Sequence, residues 1–68
     1  MNLEDFRNTI PWSRAELARQ AGLDYQTVTK AENGEAIASK SATAIIKALS
    51  RATGRTIQLR DIDGLNVR

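Results

Sequence analysis

The chain has 68 residues, 41% hydrophobic and 26% charged, with Phe6, Trp12 and Tyr25 its only aromatics; that balance describes one small folded domain, not a disordered tail. With no cysteine and no histidine, it has no disulfide framework, no thiolate metal site and no imidazole base, which disfavours enzyme and metalloprotein classes. Ten lysines and arginines stand against eight acids, a net charge of +2, so the placement of the charges carries more than their sum.

Leu3, Phe6 and Ile10 recur at helical spacing, with acids in the first turn and Pro11 just beyond, and predict a short amphipathic helix over residues 3–10. Ser13-Arg14-Ala15-Glu16 has the form of a capping box, in which the serine oxygen takes the Glu16 amide and the glutamate reaches back to the serine amide. A second helix therefore starts at Arg14, buries Leu17, Ala18 and Ala21, and stops at Gly22 in a left-handed conformation. Asp24 is placed to cap a third helix from Tyr25 to about Glu32, with Val28 and Ala31 inward. Ser39 or Ser41 can cap a fourth, in which Ala42, Ile45, Ile46, Leu49 and Ala52 form a stripe that ends at Gly54. From Arg55 the period changes. Ile57 and Leu59 alternate with polar residues, as do Leu65 and Val67 after Asp61-Ile62-Asp63-Gly64, and one or two short strands are expected there.

The fold class predicted is mainly α: a compact bundle of about four short helices with a short extended or β tail. Residues 1–54 form the domain, and 55–68 the extended C-terminal segment. Within it, residues 13–34 join a capped helix, a short turn containing glycine and a second helix with an exposed polar face, which is a helix-turn-helix. Ala18 must be small where the helices cross, Gly22 must take the turn, and Val28 must fill the angle between them.

In these residues, SRAELARQAGLDYQTVTKAENG, the chain resembles the lambda-repressor-like, or XRE-type, family of phage and bacterial regulators. The resemblance implies that the helix from Tyr25 lies in the DNA major groove while the preceding helix crosses the backbone. By position, Tyr25, Gln26, Thr27, Thr29 and Lys30 are then the base-contacting residues, with Gln suited to adenine, Lys to guanine and the Thr methyl to thymine. Ser13, Arg14, Asn33 and Lys40 become the phosphate contacts. The family also joins its first helix to the recognition helix by an Arg–Glu pair, which here matches Arg7 and Glu32. Arg14 stands where a glutamine is usual and Asp24 where a serine is usual. The other reading of Tyr25 and Gln26 is a solvated helix start.

Charge placement fits a polyanionic partner. Glu4, Asp5, Asp61 and Asp63 sit at the ends, and between Arg7 and Arg60 nine cations face four acids, a local excess of five. A domain of this size buries only about 60% of its unfolded surface. Without staples, self-association is expected, and Ile57, Leu59, Leu65 and Val67 are the candidate dimerisation residues; an intrachain hairpin closing the core is the alternative. The acidic start and short apolar runs argue against export or membrane spanning, leaving a cytoplasmic location.

Two other signals fail on spacing. Gly34 to Ser41 lacks the second glycine and the preceding strand of a phosphate-binding loop, and Asp61-Ile62-Asp63-Gly64 has its glycine too early for a calcium loop. No catalytic residue, metal, cofactor or small-molecule ligand is expected. The function expected is a sequence-specific, double-stranded DNA-binding transcriptional regulator, a homodimeric repressor reading a palindromic operator. The alternatives are an antitoxin-like protein-interaction module and the DNA-binding part of a recombinase or transposase.

Overall fold

The computed structural model describes all 68 residues. Four helices follow in chain order: α1 (Leu3–Asn8), α2 (Arg14–Ala21), α3 (Tyr25–Glu32) and α4 (Ser39–Thr53), before a 3-10 turn at Leu59–Asp61. Local chemistry accounts for most of their limits. The Asn2 side chain accepts from the Asp5 amide at 2.8 Å and opens α1, and Ser13 Oγ accepts from the Glu16 amide at 3.1 Å to open α2. Gly22, at φ 71°, closes α2. Its amide donates to the Arg19 carbonyl and that of Leu23 to the Ala18 carbonyl, the paired bonds of a Schellman turn.

Three capping expectations are corrected. Glu16 does not reach back to Ser13, because Arg19 and Gln20, one turn on, hold its carboxylate. Asp24 occupies the N-cap position of α3 without a side-chain cap bond. Neither Ser39 nor Ser41 caps α4, which starts one residue earlier than a serine cap requires, with Ala38 at its N-cap.

The helices pack with α2 against both α3 and α4, and α1 against α3. The radius of gyration, 10.2 Å, is close to the ~11 Å of a compact chain this long. Leu17, Val28, Ile45 and Leu49 are wholly enclosed, and each such side chain contributes about 1.5–3 kcal/mol by leaving water. The α4 stripe is displaced from the sequence reading: Ala48 is buried, Ile46 is half-buried and Ala52 is exposed. Trp12, half-buried against the core, lines a shallow recess with Gln20, Ala48, Arg51 and Ala52, between α2 and α4.

Residues 55–68 form no strand ladder and are interrupted by the 3-10 turn. Asp61 accepts from the Gln58 amide at 2.9 Å, the 3-10 turn follows, and the expected alternation breaks: Ile57 is buried while Leu59 is 44% exposed. Ile62 and, in the α3–α4 loop, Ile37 join the core unforeseen. Only single bridges form, Asn2 with Asp63 and Ile37 with Val67, both parallel.

Candidate nucleic-acid interface

The α2–turn–α3 unit presents its second helix with one end fixed and the other open. At the fixed end, the Glu32 side chain is 1% exposed and binds two arginines. Arg7 reaches it from α1 through Nε at 2.7 Å and Nη2 at 3.4 Å, one bond to each carboxylate oxygen, while its Nη1 donates to the Trp12 carbonyl at 3.0 Å. Arg14 reaches it from α2 through Nε at 2.8 Å. One carboxylate thus ties α1, α2 and α3 together.

The Arg7–Glu32 pair expected from the sequence is present; the second arginine was missed. Nothing in the local pattern around residue 14 reveals a partner eighteen positions away. The Glu32 carboxylate, by hydrogen bond and then by charge, holds the Arg14 guanidinium above its ordinary pKa against the opposing effect of partial burial, and the nearby Tyr25 hydroxyl adds to the rise. With its side chain one-third exposed, Arg14 keeps part of its donor fork toward solvent. Two guanidinium groups against one carboxylate leave a local net positive charge.

At the open end, Tyr25 is 52% exposed, Gln26 is exposed and Thr27 is half-buried; further along the helix Thr29 is half-buried and Lys30, in the last turn, is exposed. Tyr25, Gln26, Thr29 and Lys30 line one shallow recess of about 350 Å³. They share it because positions 25 and 29, and 26 and 30, stack one turn apart. Thr27 lies outside it. The Thr29 hydroxyl donates to the Tyr25 carbonyl at 3.1 Å, which uses its proton and leaves its oxygen as an acceptor and its methyl group for an apolar contact.

The phosphate candidates stand at helix ends. Ser13 and Arg14 are at the start of α2, Asn33 directly follows α3, and Lys40 is in the first turn of α4. Ser13 uses its oxygen as a cap acceptor but retains a hydroxyl proton to donate. Of the dimerisation candidates, Ile57 is in this chain's own core and Leu65 and Val67 pack against it; Leu59 alone is an exposed large apolar side chain. No helix is long and apolar enough to cross a membrane.

A helix-turn-helix family model matches residues 3–59, a span that includes all four helices. No curated protein and no solved structure matches the chain. The Ser13 cap, the Gly22 turn and the small Ala18 beneath the crossing lie within that span, and the chain belongs to the XRE-type, lambda-repressor-like helix-turn-helix family of DNA-binding regulators.

Proposed function

We propose that the chain is a sequence-specific regulator that lays α3 in the major groove of duplex DNA and acts as a homodimeric repressor on a palindromic operator. The observation that carries this reading is the division of α3. Its buried Glu32 is held by two arginines, while Tyr25 and Gln26 in the first turn and Lys30 in the last are presented to solvent. A helix that reads bases needs both a rigid mount and free polar groups, because misplacement of the reading side chains loses the bidentate geometry.

In this reading Gln26 and Lys30 hydrogen-bond base edges, the Thr29 methyl packs on a thymine, and Tyr25 and Thr27 flank them. Ser13, Arg14, Asn33 and Lys40 set the register through phosphates. The side-chain amide of Gln26 and the ammonium of Lys30, groups suited to base edges, favour DNA over a protein partner. Repression requires only occupancy of the operator. A second copy would meet this chain around Leu59, the exposed apolar side chain of the C-terminal segment.

Selection from a random duplex pool by the purified chain tests the reading. The expected product is an inverted repeat with half-site centres about one helical turn apart. A single unrepeated half-site would remove the dimer. Salt-sensitive binding with no sequence enriched would remove the base-reading role of α3.

A further inference from the structure

The family match ends at Leu59, and the residues beyond it return across the molecule. The Asp63 amide donates to the Met1 carbonyl at 2.8 Å, next to the start of α1. The chain then reaches the loop between α3 and α4. There the Ile37 amide donates to the Asn66 carbonyl at 3.0 Å and the Arg68 amide donates to the Ile37 carbonyl at 2.8 Å. The Asn66 side-chain amide donates to the Gly34 carbonyl. A Cβ placed on Gly34 would lie 3.8 Å from the Gly64 carbonyl oxygen, so the two segments are in close contact. Ile37 is buried and Val67 packs against the core, which makes the attachment apolar as well as hydrogen-bonded.

This attachment determines where a charge sits. The α3–α4 loop follows Asn33 and leads into the turn that carries Lys40, and the bonds to Ile37 place Arg68 alongside that loop. Arg68 is exposed, and its guanidinium has no ion pair or hydrogen bond within the chain. Arg55 is exposed too, but it stands past the opposite end of α4, about 22 Å away along a helix of 15 residues. Of the two cations, only Arg68 is next to the end of the reading helix.

We propose that residues 62–68 form a strap that braces the α3–α4 loop and carries Arg68 to the DNA backbone as a phosphate contact outside the family's matched span. The inference rests on the DNA reading given above. Its chemistry is electrostatic: a cation that neutralises one phosphate releases its condensed counterion and steepens the salt dependence of binding by about 0.9 in the log–log slope. It carries no base preference.

The test measures binding of the whole chain to two probes, a duplex enriched by the selection and a random-sequence duplex of equal length, from about 50 to 200 mM salt. Arg68→Ala is expected to make the slope shallower by about 0.9 on both probes, with base preference and thermal midpoint unchanged. Arg68→Lys restores the slope, and Arg55→Ala leaves it at the wild-type value. A wild-type slope in Arg68→Ala overturns the proposal, as does an equal loss in Arg55→Ala, which would mark a diffuse field instead of a contact. If the wild-type chain binds both probes alike, the base-reading role of α3 fails while the slopes still decide the fate of Arg68. If it binds neither probe, both readings fall.

Discussion

The two ends of α3 are built on opposite terms. At its end, Glu32 is enclosed and makes bonds to arginines from two other helices. At its start, Asp24 makes no cap bond and Tyr25 and Gln26 stand in water, on the same exposed face as Lys30 one turn on. The contrast separates stability from recognition. The Arg7–Glu32–Arg14 cluster holds the helix at a defined angle, and because desolvation offsets much of its attraction, its value is more in positioning than in net stability. The open end contributes little to folding and is free to carry contacts.

Substitutions break this contrast in order of size. Glu32→Ala leaves Arg7, whose side chain is 12% exposed, without its partner, and is expected to destabilise the fold by about 3 kcal/mol, read by urea denaturation. A change within the error of the method would show that the cluster is not a mount. Gln26→Ala is expected to leave the urea midpoint unchanged and to cost about 1–3 kcal/mol of discrimination at one base pair, measured by competition between the preferred and a singly altered duplex. Arg14→Ala joins the two ends. Arg7 still pairs Glu32, so the stability loss is expected to be smaller than that of Glu32→Ala, while all duplexes weaken alike and the salt slope falls by about one.

The smallest effect concerns Glu16, whose carboxyl is held below its ordinary pKa by Gln20 first and then by Arg19. A lowered folded-state pKa contributes stability above the unfolded value that is lost as pH falls through the folded one. In Glu16→Gln this acid-dependent part should be absent. The gap between its thermal midpoint and that of the wild type is therefore expected to narrow on acidification below the ordinary glutamate range. A gap that does not change with pH would refute the attribution.

The four helices were legible because their signals are local: spaced apolar residues, Ser13 before Glu16, and Gly22 and Gly54 at the stops. The tail was not, because the Ile57 and Leu59 alternation is equally compatible with a 3-10 turn closed by Asp61, and only packing against α4 separates the two. Ile37 lies between two exposed alanines and Ile62 between two aspartates; no periodicity marks them, although both enter the core. The same limit hid Arg14 at Glu32. Position relative to the helix-turn-helix indicated a phosphate contact, whereas its bond to a buried carboxylate is a tertiary event. Arg7 with Glu32 was legible because the resemblance supplied the long-range pairing.

The most direct test of the division within α3 is parallel selection from one random duplex pool by the wild-type chain and Gln26→Ala. The account predicts the same half-site from both, with preference lost at a single position in the variant. Identical preferences at every position, from two chains of equal stability, would contradict it.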